Sequence, residues 1–447
     1  MPKQAMLYFL LEKNEQEVFR VTEIVGGFTA FGRRKQRAEG QSHYDEESLQ
    51  PAEREPYQFD PEKLKEIADR DRRWAWAQVD LGAIRNNCVQ AKHRVGGLKR
   101  MMAVVSADAC GHGAPRVAKT ALNAGADCLG VATIDEAIAL REALINAPIL
   151  LMTQPPASAI QLLLAYKVMP AIQSSEFAIQ YAEAADSLGL MAPYHLSVNT
   201  GTNCTGLRYD QVCQFMMQVG FHRALDLQGV FTTLATAEGP ENMDLQMQAT
   251  RFVDAVNAMA AAGFKPGIVH CADTAALVRY PELHFDMARL DVGLYGYHPC
   301  VQTRGLIDLR PAMTICARIT DVNNVPLGEG VGAGLTYRSV GSSKICTIPL
   351  GFADGLPRML SGRLQVMYSG QLMRQVGTIG MDQCSFEVDL RTRVGRPRLD
   401  PQVGDEVVLV GRQGDAHIDM EELADEASLA PTEMCCHLGA RLSRVYV

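Results

Sequence analysis

Three stretches carry side chains whose types and spacing could do chemistry. In "AVVSADACGHGAPRVAK", residues 103–119, an apolar strand runs into a glycine turn and then a helix. Ser106 stands at the strand's end, with Cys110 and His112 in the turn. In "HCADTAAL", residues 270–277, His270, Cys271, Asp273 and Thr274 follow a second apolar run. Near the C-terminus Cys435, Cys436 and His437 are consecutive. A thiolate beside an imidazole can act as a nucleophile or a metal ligand. Cys110, Cys204, His112 and His270 gathered in one pocket would permit that. A metal centre is not expected: none of the twelve cysteines forms a CxxC pair, and two ligands do not make a zinc site. Most of the thiols read as small buried apolar groups.

Such residues need a scaffold, and the chain between Trp74 and about residue 305 supplies a regular one. Strand-like runs occur in "MAVVSADA", "CLGVAT", "PILLMT", "MPAIQ", "YHLSVNT", "LQGVFTTLA", "GIVHCAD" and "MARLDVGLYG". Helix-period segments separate them. In one, Val117, Ala121 and Ala124 share a face; in another, Ala137, Leu140 and Leu144 do. Glycines in "NAGAD", "SLGLM" and "AAGFK" mark helix ends. This alternation predicts an α/β fold, a (β/α)8 TIM-type barrel. Barrel chemistry sits at strand C-terminal ends. Those ends are Ser106, Thr133, Thr153, Gln173, Asn199-Thr200-Gly201, Thr233, His270 to Thr274, and Arg289. A pocket is expected there, positively charged only near Arg289 and His270. After residue 305, "PAMTICARITDVNNV", "SKICTIPLG", "GRLQVMYSGQLMRQVGTIGMDQCSFEVDL" and "VGDEVVLVGR" read as strands, and helical pattern returns in "DMEELADEAS". The expected organisation is an extension over residues 1–72, partly a disordered charged linker, a barrel over 73–305 and a mostly β C-terminal domain over 306–447.

The 447 residues are 47% hydrophobic with a net charge of −8, enough for a large core. The acidic balance argues against nucleic acid or an anionic membrane as partner. No run has the length of a transmembrane helix. The opening "MPKQAMLYFLLEKNE" has too short an apolar run for a signal peptide and no small-residue cleavage site, so a cytoplasmic location is expected.

From Trp74 to Val447 the sequence resembles the alanine racemase family. The likeness is carried, in family order, by "WAQVDLGAIRNN", "AVVSADACGHG", "VATIDEAIALRE", "VNTGTNCTG", "HCADTAAL", "ARLDVGLYGYHP", "PLGFADGLPR", "VGTIGMDQCSFEVDL" and "LGARLSRVYV". The resemblance implies a pyridoxal phosphate barrel of fold type III, a β domain, a head-to-tail homodimer and interconversion of L- and D-alanine. In that family a lysine holds the cofactor and serves as base on one face of the substrate carbon, and a tyrosine of the other subunit serves on the opposite face.

Carried over position by position, the resemblance implies losses concentrated on that chemistry. Ser106 stands where "VVKADAYGHG" has its lysine, and Cys110 where it has its phosphate-binding tyrosine. Ala333 falls at the opposite-face tyrosine, and Cys204 at the arginine ending a "TGMxR" segment. Ser197 takes the place of an often carbamylated lysine. Asp291 replaces a phosphate-binding glycine, Ala440 a second phosphate-binding tyrosine, and Phe352 a gate tyrosine. Retained are Arg289 under the pyridine nitrogen, His270 beside it, Thr274 as helix cap and phosphate contact, and Met381 and Asp382 at the substrate carboxylate. The remaining lysines from the barrel onward, Lys92, Lys99, Lys119, Lys167, Lys265 and Lys344, are not expected at a barrel strand's C-terminal end.

These replacements imply weak or absent pyridoxal phosphate binding and no racemase activity. Three functions stay open. One is a silent homologue that binds a small amino acid or regulates, including as a heterodimer with an intact racemase. A second is new thiol-based chemistry in the same pocket. The third is a racemase by ancestry, engineered or decayed with no separate function, or with residual or rescued activity.

Overall fold

The computed structural model describes residues 72–240, 243–341, 343–390 and 399–447. The expected N-terminal extension, apart from Arg72, lies outside the described residues. The first strand, β1 (Ala75–Val79), leads into helix α1 (Leu81–Val95). Asp80 opens α1 by accepting the amide of Ala83 on its carboxylate, which satisfies one of the free donors of the first turn.

The barrel strands are β2 (Arg100–Val104), β3 (Cys128–Val131), β4 (Ile149–Leu151), β5 (Met169–Ile172), β6 (Ala192–Asn199), β8 (Leu225–Phe231), β9 (Ile268–His270) and β10 (Met287–Leu290). The two-residue β7 (Leu207–Arg208) pairs with the end of β6. They run parallel in the order β10-β2-β3-β4-β5-β6-β8-β9. Two backbone bonds bridge the remaining seam, Asp286 N–H to Val269 O at 3.0 Å and Arg289 N–H to Ala272 O at 2.9 Å. Met102, Cys128, Leu150, Ala171, Phe231 and Met287, each from a different strand, form one buried cluster inside the barrel. Between the strands come α2 (Ala114–Asn123), α3 (Ile134–Glu142), α4 (Ile160–Ala165), α5 (Ser175–Ser187), α6 (Val212–Val219), α7 (Met243–Ala261) and α8 (Thr274–Arg279).

The helical faces follow the sequence pattern with one correction. Ala137 and Leu140 are fully buried, but Leu144 is 82% exposed. Helix α3 stops at Glu142, Leu144 takes a left-handed turn (φ +62°), and Ile145 enters the core instead.

The C-terminal strands are β11 (Met313–Arg318), β12 (Asp321–Val325), β13 (Gly330–Val331), β14 (Tyr337–Arg338), β15 (Ser343–Ile348), β16 (Gln365–Tyr368), β17 (Gln371–Val376), β18 (Cys384–Asp389), β19 (Glu406–Gln413), β20 (Ala416–Ile418) and β21 (Ser443–Tyr446). The main sheet runs β12-β15-β18-β17-β16-β19-β11-β1-β21, with β20 on β19. Thus β1 precedes the barrel in sequence but lies in the second sheet. Its alternation shows why: Ala75, Ala77 and Val79 join the main core, while Trp76 packs on the other face with Cys316, Met367 and Val408. Helix α9 (Met420–Glu426) falls in the expected segment. Helix α10 (Pro431–His437) follows it, with proline in its first turn, and ends in Cys435-Cys436-His437. Among the described residues no helix is long and apolar enough to cross a membrane.

Candidate functional site

The strand-end residues converge on one end of the barrel, and the turn after β2 is its most unusual part. Ala107, Asp108, Ala109 and Cys110 all have φ between +48° and +54°, so four non-glycine residues form a left-handed turn. Each such residue costs roughly 1–2 kcal/mol, so the surroundings must hold the turn in place. Glu136 accepts the amide of Ala107 at 2.7 Å, and Asp108 accepts that of Ala114 at 2.7 Å. The His112 ring nitrogen Nδ1 bonds the carbonyls of Ala109 and Cys110 at 3.1 and 2.9 Å. Arg444 donates to Gly111 O at 2.8 Å and, through its other nitrogens, to Leu438, Gly439 and Leu442 carbonyls at 2.6 Å. The turn is thereby fastened to the segment after α10. Ser106 sits half-buried at its start.

Arg289, on β10, is buried, and both terminal nitrogens of its guanidinium are bonded. It donates to His270 Nδ1 at 3.1 Å, Thr232 O at 3.1 Å and Cys271 O at 3.0 Å. Since Nδ1 of His270 accepts, its Nε2–H donates to His195 Nδ1 at 3.0 Å. Burial, then the neighbouring His195 and Arg289, holds His270 well below the usual imidazole range. Burial pushes His195 down to about 4. Burial thus favours the neutral form of both rings, and the positive charge beside them is that of Arg289.

The third group surrounds Asp291. Its carboxylate accepts the Thr274 hydroxyl, the Thr274 amide at 3.2 Å and the Val292 amide at 2.7 Å. The amides at the start of α8 and after β10 are the kind of donors that hold a phosphate at a helix N-terminus. Here a side chain of the same protein takes them. The cap of α8 is Asp273, which accepts Ala276 N–H at 2.8 Å, so Thr274 is the first helical residue rather than the cap. Burial first, then the charge of Asp291, raises the Asp273 carboxyl to about 6. Burial and Asp291 also raise Glu238. This side of the site is acidic.

The other strand-end groups bind each other. Gln173 accepts the Thr205 hydroxyl at 2.6 Å and the Gly206 amide at 2.7 Å, tying the 200–206 loop to β5. Thr200 and Thr232 share a 2.9 Å hydroxyl bond. Ser197 is buried on β6, whereas Cys204 is exposed, its thiol 3.5 Å from Thr202 O. The structure does not gather the four groups expected for thiol chemistry. The partners of Cys204 and His270 lie elsewhere, and His112 is buried against Tyr295 at 4.7 Å between ring centroids. Cys110 instead meets Cys436, a neighbour that sequence distance concealed.

In the C-terminal domain, Ala333, Phe352, Met381 and Asp382 share one exposed region. Thr378 donates to Ala333 O at 3.3 Å, Phe352 to Gly380 O and Ala353 to Met381 O at 2.9 Å. Asp382 pairs with Arg441 at 2.5 Å, beside exposed Ala440. Of the lysines, Lys119 lies within α2, and Lys99, Lys167 and Lys265 precede β2, β5 and β9 at the opposite end of the barrel. Lys92 pairs with Asp127 and Lys344 with Asp400.

Comparison with known proteins matches residues 79–299 to the family model "Alanine racemase, N-terminal domain" and residues 312–446 to "Alanine racemase, C-terminal domain". An alanine racemase of Synechocystis sp. is 37% identical over 378 residues, covering 84% of this chain and 100% of that one. The solved alanine racemase of Clostridium difficile 630 superposes with a TM-score of 0.78 at 30% identity, covering 84% of this chain and 96% of that one. A histidine racemase from Leuconostoc mesenteroides superposes with a TM-score of 0.76 at 28% identity, covering 84% and 98%.

Proposed function

This chain belongs to the alanine racemase family, a pyridoxal-phosphate-dependent family, and we propose that it is a catalytically silent member that works by binding or by pairing. The observation that carries this reading is the Asp291 carboxylate seated on the Thr274 and Val292 donors. Those groups do not fit the cofactor's phosphate: its place among the donors is filled, and a carboxylate there repels a dianion. The rest of the cofactor fares no better. Ser106 has no amine with which to hold an aldehyde, and none of the lysines from the barrel onward lies at the strand ends. Cys110 and Ala440 supply no phenol. No step of a reaction is therefore assigned to the cofactor.

What remains at the strand ends is an acidic cluster of Asp291, Asp273 and Glu238, suited to the ammonium group of a small amino acid. A head-to-tail homodimer is the expected assembly, with the exposed Ala333 segment reaching a partner's barrel. In a mixed dimer with an intact racemase of the same cell, Ala333 would offer that partner no second base and would silence it. The competing reading, a working racemase by ancestry, is favoured by 37% identity across the whole of a curated relative. The two separate in one experiment. Incubation of the chain with L-alanine and excess pyridoxal phosphate in deuterium oxide should leave the α-proton signal unchanged, whereas a racemase would exchange it. Added D- or L-alanine should raise the melting temperature if the pocket binds; no shift with either, and no loss of activity on mixing with the intact enzyme, would remove the binding and pairing roles.

A further inference from the structure

The fold brings together two cysteines that are far apart in sequence. The left-handed turn of residues 107–110 rests on α10. A Cβ added at Gly111 would come within 2.5 Å of the Cys435 carbonyl, and the Arg444 guanidinium spans from Gly111 O to Leu438 O. At this junction the turn that carries Cys110 packs on the helix that carries Cys436, and the two side chains interact. Cys436 is exposed and Cys110 half-buried beneath it. Cys435 faces the other way, buried with its sulfur 3.3 Å from the Tyr297 hydroxyl. The neighbouring Cys110 draws the Cys436 thiol down to about 7, while Cys436 and burial push Cys110 up. An exposed thiol poised to ionise thus neighbours one held protonated, an attacking group beside a resolving one.

We propose that Cys110 and Cys436 are a peroxide-oxidisable pair that closes to a disulfide, stapling the strand-end turn to the C-terminal helix. The Cys436 thiolate attacks one oxygen of hydrogen peroxide. The S–O bond forms, the O–O bond breaks, and the leaving hydroxide takes a proton to become water. The sulfur of Cys110 then attacks the sulfenic sulfur of Cys436, the S–O bond breaks, and the thiol proton of Cys110 leaves with the departing hydroxyl as a second water. Two thiols are oxidised and one peroxide is reduced. Cys435 does not compete, because its thiol is buried on Tyr297 and adjacent cysteines in a helix do not present the Cβ geometry of a disulfide. The cross-link spans the junction that already holds the strained turn, so oxidation fixes the position of Ser106. This inference is independent of whether the pocket binds an amino acid.

The full chain, freed of reductant, is treated with one equivalent of hydrogen peroxide, capped with iodoacetamide and mapped by mass spectrometry without reduction. The expected result is a peptide pair joined through Cys110 and Cys436, with two of the twelve thiols lost and a melting temperature several degrees higher. Cys435→Ser should leave the cross-link intact, and Cys436→Ser should abolish it. Cys110→Ser should leave a sulfenic acid on Cys436 that dimedone captures. In the unoxidised protein at pH 7, iodoacetamide should label Cys436 several-fold faster than the exposed Cys204. A Cys435–Cys436 bond, a lasting sulfenic acid in the unaltered chain, or no thiol loss at one equivalent would overturn the proposal.

Discussion

Replacing Asp291 by glycine should turn a site that refuses phosphate into one that accepts it. The carboxylate now holds the Thr274 hydroxyl and the amides of Thr274 and Val292, so its removal frees three donors at once. Two unit charges about 4 Å apart repel by ~4 kcal/mol at an effective dielectric of about 20. Asp291 is half-buried, and water at the rim reduces that to roughly 2 kcal/mol. One freed charge-assisted hydrogen bond adds about 2 kcal/mol. Together they correspond to roughly a thousandfold in affinity. Asp291→Asn separates the two effects, since it removes the charge and leaves the side chain among the donors; its gain should be about 10- to 30-fold. Dissociation constants for pyridoxal phosphate and for inorganic phosphate, measured by calorimetry on all three proteins, test this. A folded D291G protein that binds phosphate no more than threefold better than the unaltered chain would refute the reasoning, because the carboxylate would then not be what keeps the anion out.

Other consequences concern stability. His112 and His195 are held neutral by burial at about 4, so each contributes stability that is present above pH 6.5 and lost as pH falls to 4, about 3 kcal/mol apiece. Asp273, raised to about 6, acts oppositely: its contribution is present below pH 4 and lost as pH rises through 6. The histidines outweigh it, so melting temperature should fall steadily from pH 7 to pH 4.5, and Asp273→Asn should steepen that fall. Asp354 is fully buried and takes both guanidinium nitrogens of Arg73 at 2.6 and 2.7 Å. Asp354→Ala leaves that charge half-stranded and should cost about 3 kcal/mol in denaturant unfolding. Gly111→Ala places a methyl against the Cys435 carbonyl at a φ of +73° and should lower the melting temperature by at least several degrees, while Gly97→Ala, with open space around it, should be near neutral.

Much of the architecture was legible because the barrel repeats one pattern. Each buried parallel strand is a short apolar run, and each helix carries its own face and stop. The failures are local. Leu144 fits the helical period, and nothing in the spacing reveals that the backbone reverses at that residue and turns it outward. The residues at the barrel strand ends share one end of the barrel, because the order of parallel strands fixes where those ends lie. Their bonding was not legible. That Asp291 folds back onto Thr274, or that His270 is neutral, depends on distances between strands far apart in sequence. The same holds for Cys110 and Cys436, each conspicuous in its own segment and joined only by the packing of α10 on the turn. The left-handed conformation of residues 107–110 had no signal beyond the glycines that follow it.

The most direct test of a silent site is a visible spectrum of the purified protein titrated with pyridoxal phosphate, before and after borohydride, followed by peptide mapping. No imine band and no lysine carrying a reduced pyridoxyl group are expected. An imine that borohydride fixes to a single lysine, accompanied by racemisation of alanine, would contradict it and show that another amine does the work missing at Ser106.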